Sequence, residues 1–283
     1  MDFSQVSIND IGAIQSFRDI QDAIGNHLSL DLQDDPLRVC RELDTIQKSV
    51  GIPDLRLDTN LMLLIEQKLV EIFLKLGISE FSGMQFPANV RILNSGQDES
   101  NGGNYRTTLL HCDSWSGAPS DVLNVFLGLF VSPRCPWLQM FNTLDPDHAA
   151  YSYVGAYENA PCKESELLEV EIPRKNGALV FWQTQTPHRT LIEHIPDKSN
   201  AWRISIDIRL RRNSPYLDIR ELQESIFDAS KMNSLGLYWT FPTSEFKTIR
   251  EKSLFEQESA KRYGDEAIRA RVRYLEKYYE TAK

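Results

Sequence analysis

Eight short β-prone segments, 90–93, 107–111, 122–131, 137–142, 168–172, 178–183, 188–193 and 202–210, follow one another with turn-rich stretches between them. This succession constrains the fold more than any other feature of the chain. Eight such strands predict a mainly β core in two sheets, a double-stranded β-helix or jelly roll of the cupin-like kind. The last segment alternates strictly, with Arg203, Ser205, Asp207 and Arg209 on one face and Ile204, Ile206 and Ile208 on the other. Asn176-Gly177, just before the segment 178–183, is a tight-turn signal expected to join two antiparallel strands.

Both flanks read as helical. Asp35 with Pro36 at the first helical position predicts a helix ended by Gly51. Thr59 or Asn60 is the expected cap of a second, in which Leu61, Leu64, Ile65, Leu69, Ile72, Phe73 and Leu76 recur at helical spacing before Gly77. Beyond Arg212, segments 216–230, 244–263 and 265–279 have helical patterning, the last with Ile268, Val272, Leu275 and Tyr279 along one side. The expected organisation is a helical N-terminal extension over 1–84, a catalytic core over 85–212 and a C-terminal helical extension over 213–283. The C-terminal helices could cover the site or form a homodimer. The Gly- and Ser-rich loop 94–104 is either a lid or an ordinary surface loop.

Within the core, His111-Cys112-Asp113 is followed at a distance by His188. On a strand, residues at i and i+2 share a face, so His111 and Asp113 could bind one ion together. His188 would complete a two-His, one-carboxylate face, which leaves three positions of an octahedral Fe(II) open, as in non-haem iron oxygenases. Five His and 40 acidic residues make a stray His-x-acid pair expected by chance, so the surroundings must decide. His27, His148 and His194 read as ordinary histidines, although His194 competes with His188 for third ligand.

Those surroundings resemble the Fe(II)/2-oxoglutarate-dependent dioxygenase superfamily. The resemblance covers roughly residues 90–212: the HxD pair, the segment Gly177-Ala178-Leu179-Val180-Phe181-Trp182 leading to His188, and Arg203-x-Ser205 on the next strand. The stretch from His111 to Pro119, followed by Asn124 to Leu129, is closest to phytanoyl-CoA-hydroxylase-like and streptomycin-biosynthesis-type proteins. The resemblance implies His111, Asp113 and His188 as catalytic metal ligands for Fe(II), with 2-oxoglutarate and O2 as cosubstrates. It further implies that Arg203, with Ser205 two residues on, holds the far carboxylate of 2-oxoglutarate. A guanidinium suits such a carboxylate because it is permanently charged and bidentate. Arg203 lies fifteen residues after His188, a longer interval than in many members, and Arg209 on the same face competes for the role. Asn124, a polar residue in an apolar strand, would touch either 2-oxoglutarate or a backbone group. Trp115 and Trp182 are either packing residues or walls of the substrate-binding cavity.

The implied activity is hydroxylation of an unactivated C–H bond of a small molecule, a sugar, amino acid or specialised metabolite, with release of succinate and CO2. Related halogenases lack the ligand carboxylate, so Asp113 favours hydroxylation or desaturation. The alternatives are a cupin-like metal-dependent isomerase and a non-catalytic binding protein. A formal net charge of −9 and a pI near 5.2 argue against general attraction to nucleic acid or anionic membrane. The most apolar stretch, 61–76, is broken by Glu66, Lys68, Glu71 and Lys75 and is too polar to span a bilayer. No secretory signal is evident at the N-terminus, and Cys40, Cys112, Cys135 and Cys162 show no CxxC spacing. The expected location is therefore the cytoplasm, with reduced thiols.

Overall fold

A computed structural model describes residues 3–8, 10–53, 55, 58–78, 81–85, 88–95, 107–113, 122–143, 162–192, 201–212 and 239–240. The loop residues 96–104, Trp115, His148, His194 and the C-terminal segments 216–230, 244–263 and 265–279, with the dimer contact expected of them, lie outside the described residues.

Three helices precede the sheets: α1 (Ile11–Leu28), α2 (Pro36–Ser49) and α3 (Thr59–Lys75). Each begins at an aspartate whose carboxylate accepts a backbone N–H of the first turn. Asp10 accepts from Ala13 at 3.0 Å, Asp35 from Arg38 at 3.3 Å and Asp58 from Leu61 at 3.0 Å. The cap of α3 is therefore Asp58 rather than Thr59 or Asn60; its carboxylate is the stronger acceptor for the orphaned donors. Gly77 ends α3 at φ 73°, a left-handed conformation that lets Ile78 N–H reach back to the Phe73 carbonyl at 2.7 Å.

The rest is mainly antiparallel β. The strands are β1 (Phe3–Ser7), β2 (Phe81–Gln85), β3 (Asn89–Asn94), β4 (Val122–Val131), β5 (Trp137–Thr143), β6 (Leu167–Val170), β7 (Ala178–Gln183), β8 (His188–Leu191), β9 (Trp202–Arg212) and β10 (Trp239–Thr240). A seven-stranded sheet runs β1-β7-β4-β9-β2-β10, with β3 also paired to β9, and a three-stranded sheet runs β6-β5-β8. β1 corrects the expectation of a wholly helical N-terminus. It pairs with β7 from Phe3 opposite Trp182 to Ser7 opposite Ala178, so the open edge of β7, not local propensity, sets its conformation.

Strand alternation sorts the side chains into layers. Val125, Leu127, Leu179, Phe181, Ile204, Ile206, Ile208 and Leu210 join Ile20, Ile24, Ile65, Leu69 and Phe73 of the helices in one buried core. Phe126, Ala178, Val180 and Trp182 point the other way and meet Trp137, Leu138 and Met140 of β5. The large sheet is thus packed by helices on one face and by the small sheet on the other. Burying an aliphatic side chain of this kind stabilises by about 1.5–3 kcal/mol. The strict alternation expected of the last strand holds in β9. In β4 it breaks where the register shifts between Gly128 and Phe130, and Leu129 and Phe130 both turn to the helix side.

Asn176-Gly177 does not close a hairpin. β6 and β7 belong to different sheets, so the turn carries the chain from one layer to the other. Gly177 takes φ 74° and donates to the Gly128 carbonyl at 2.8 Å, while Asn176 Oδ1 accepts from Val131 N–H at 2.8 Å. The pair serves as a clasp on the bulged end of β4. All four cysteines are free and buried, and no described helix is long and apolar enough to cross a membrane.

Candidate metal centre

His111 is brought to His188 by a backbone bridge, not by a strand of its own. The two residues exchange both backbone hydrogen bonds, at 3.0 and 2.8 Å, and their rings stand 4.3 Å apart between centroids. Residues 107–109 are turn and bend, and Asp113 lies beyond the bridge, off any strand. The expected strand 107–111 is therefore corrected to a single bridge residue, and Asp113 reaches the cluster from outside any strand and not by the alternation of one. His111 Nε2 and Asp113 Oδ1 are 3.8 Å apart, and one potential ligand atom from each of His111, Asp113 and His188 lies within 4.8 Å of the others.

Backbone carbonyls orient both rings. Leu109 O lies 2.7 Å from His111 Nδ1, and Thr186 O lies 2.9 Å from His188 Nδ1. A carbonyl only accepts, so each Nδ1 carries the proton and each Nε2 keeps its lone pair for a ligand. The intervening Cys112 is no competitor: its thiol donates to Gln185 O at 3.0 Å, and burial raises its pKa well above the ordinary value.

The protonation states also suit a cation. Burial first, then neighbouring His188, lowers the pKa of His111 to about 3; burial lowers that of His188 as well. At Asp113 burial opposes ionisation, but the Arg209 guanidinium overrides it, helped by the two imidazoles, and holds the carboxyl well below its ordinary range. Near neutral pH the set is two neutral imidazoles and one carboxylate, the state that a divalent metal requires. The donor set, its burial and the unprotonated Nε2 atoms fit such an ion.

Stability should follow. Unfolded histidines titrate near 6.5, and the folded values lie lower, so protons bind the unfolded chain preferentially below about pH 6.5. Metal-free protein is expected to hold its melting temperature above that pH and lose it progressively toward pH 4. Melting curves across this range in a chelator should show a shallower fall for His111→Asn; an equal slope would contradict the burial of a neutral ring.

Arg209 takes a role that the sequence does not specify. Its Nη2 pairs with Asp113 Oδ2 at 3.3 Å and its Nε donates to Asn124 Oδ1 at 3.1 Å. The alternation of β9 put Arg209 on the correct face but could not say which carboxylate it would meet. Arg203, further along that face, is 2% exposed; its Nη1 donates to Pro136 O at 2.9 Å and its guanidinium lies 5.3 Å from the Phe126 ring centroid. Ser205 is fully buried beside it in sequence. The remaining charged pair of the face, Arg91 with Asp207 at 2.6 Å, joins β3 to β9. Asn124 and Trp182 are also buried, with the Trp182 ring 5.2 Å from that of His188. His27 lies elsewhere, 3.3 Å from Asp58 on the helical side.

No family model and no curated protein matches the chain. Among solved structures it is similar to the non-heme alpha ketoglutarate dependent carbocyclase SnoK from nogalamycin biosynthesis, with 16% identity over 54% of this chain and 58% of that one and a TM-score of 0.39. It is also similar to the epimerase SnoN in complex with Fe3+, alpha ketoglutarate and nogalamycin RO, with 13% identity over 75% and 79% and a TM-score of 0.42. A third is AviO1 from Streptomyces viridochromogenes Tue57, with 13% identity over 75% and 90% and a TM-score of 0.42. Likeness at this level assigns neither a reaction nor a substrate.

Proposed function

We propose that the chain is an Fe(II)- and 2-oxoglutarate-dependent oxygenase acting on a small molecule, built on a jelly-roll core of the phytanoyl-CoA-hydroxylase-like or streptomycin-biosynthesis type. The observation that carries this is the buried cluster of His111, Asp113 and His188, two imidazoles with unprotonated Nε2 atoms and one ionised carboxylate. His111, Asp113 and His188 would hold Fe(II), which with 2-oxoglutarate would supply O2-dependent oxidation of a C–H bond, with release of succinate and CO2.

The chain's own residues bind and orient. His111 and His188 are held in one tautomer by Leu109 and Thr186 carbonyls, and Asp113 is held ionised by Arg209. Arg203 is the preferred clamp for the far carboxylate. Arg209 is already committed to Asp113, whereas Arg203 lies further along the same inner face, with Ser205 Oγ nearby and the Phe126 ring under its guanidinium. Its burial makes it a strong partner for a dianion. Retention of Asp113 supports hydroxylation or desaturation.

Anaerobic addition of Fe(II) and 2-oxoglutarate should produce a weak visible charge-transfer band at roughly 500 nm, as expected of a chelating oxo acid at an open facial site. Absence of the band together with absence of 2-oxoglutarate binding to the metal-loaded protein would reject the proposal.

A further inference from the structure

On the face that the large sheet turns toward the small one, three buried polar atoms find no hydrogen-bond partner among the described residues: Asn124 Nδ2, Trp182 Nε1 and Ser205 Oγ. Native interiors satisfy nearly all such groups, because an unmade bond costs the full desolvation of the atom. Two of the three lie together. Asn124 and Trp182 are directly opposite in the β4–β7 register, which puts their Cβ atoms about 5 Å apart on one face.

Both are tied to the metal ligands. The Trp182 ring packs edge-on near His188, and Asn124 is joined through Arg209 to Asp113. That second link also decides which way the amide faces. A guanidinium has only donors, so it must meet the amide oxygen, and Asn124 is locked with its NH2 group turned away from Arg209. An indole likewise offers only a donor. The sheet therefore carries two N–H groups on directly opposed residues of one face, each on a side chain linked to a metal ligand, and what they lack is an oxygen acceptor.

We propose that Asn124 Nδ2 and Trp182 Nε1 form a two-donor cradle for the oxo-acid end of 2-oxoglutarate, which makes Trp182 a cosubstrate-binding residue and not a wall of the substrate cavity. The inference rests on the oxygenase function proposed above. The third orphan supports this ligand over a primary substrate. Ser205 Oγ lies further along the same face beside Arg203, so an elongated dicarboxylate finds donors at both ends.

Calorimetric titration of the Ni(II)-loaded full-length protein with 2-oxoglutarate tests it. Trp182→Phe keeps the ring and deletes the N–H; it is expected to weaken 2-oxoglutarate about tenfold while leaving Ni(II) affinity within twofold of the wild type. Asn124→Leu should weaken 2-oxoglutarate to a similar extent. With Fe(II) under anaerobic conditions, the charge-transfer maximum of Trp182→Phe should shift, which a purely structural role for the ring would not produce. Because Asn124→Leu also cuts the Arg209 contact, Trp182→Phe decides if the two disagree. Binding of 2-oxoglutarate to Trp182→Phe within twofold of wild type overturns the cradle and leaves the proposed function standing. Failure of the wild-type Ni(II) protein to bind 2-oxoglutarate overturns both.

Discussion

His188→Ala is expected to weaken Fe(II) or Ni(II) binding by about a thousandfold or more, and with it all binding of 2-oxoglutarate that depends on metal. Loss of a group that only orients a ligand typically costs 10–100-fold in metal affinity. Loss of a proposed ligand should exceed that, because it leaves one imidazole and one carboxylate where the proposed site has three donors. The effect on folding should be small by comparison. His188 is buried and neutral, so removing it deletes a group whose protonation the fold resists, at the cost of the contacts its ring makes with His111 and Trp182. Metal titration followed by calorimetry, with melting of the metal-free protein alongside, separates the two. Retention of wild-type affinity in His188→Ala would remove it from the ligand set and with it the proposed oxygenase function.

Arg209→Met should have the opposite signature, a large loss of stability without loss of the ligands. The guanidinium is what holds the buried Asp113 carboxylate ionised against desolvation. Breaking a buried pair by removing one partner costs about 3–5 kcal/mol. Both side chains keep some solvent contact, 21% for Arg209 and 11% for Asp113, which places the expectation near the lower end, about 2–3 kcal/mol. Two further outcomes identify the cause. The deficit should shrink in acid, since without Arg209 the Asp113 pKa rises and protonation removes the unpaired charge. It should also shrink on adding Ni(II), because a divalent ion supplies the missing positive charge; the metal-induced rise in melting temperature should therefore exceed that of the wild type. A variant as stable as wild type without metal would show that Arg209 does not compensate Asp113.

Parts of this arrangement were legible in the residues alone because their determinants are local. Alternation in β9 assigned Arg203, Ser205, Asp207 and Arg209 to one face because side chains on a strand repeat every two residues. The helical spacing of Leu61, Ile65, Leu69, Ile72 and Phe73 placed α3 correctly. Where a long-range partner decides the conformation, the same logic fell short. β1 forms on the edge of β7, the bulge at Leu129 interrupts the alternation of β4, and Asn176-Gly177 joins two sheets although it has the composition of a hairpin turn.

The site divides in the same way. The residue types of the candidate metal centre, two imidazoles and a carboxylate, and the arginine-bearing face that accompanies them, are written in the sequence. Their assembly is not. His111 meets His188 through a bridge between segments far apart in the chain, Asp113 joins them from outside any strand, and Arg209 pairs with Asp113 across the layer. Periodicity fixes which face a side chain occupies, since backbone geometry alone sets it. Which groups share that face across the sheet depends on register and on the packing of distant segments, and those are properties of the folded chain only.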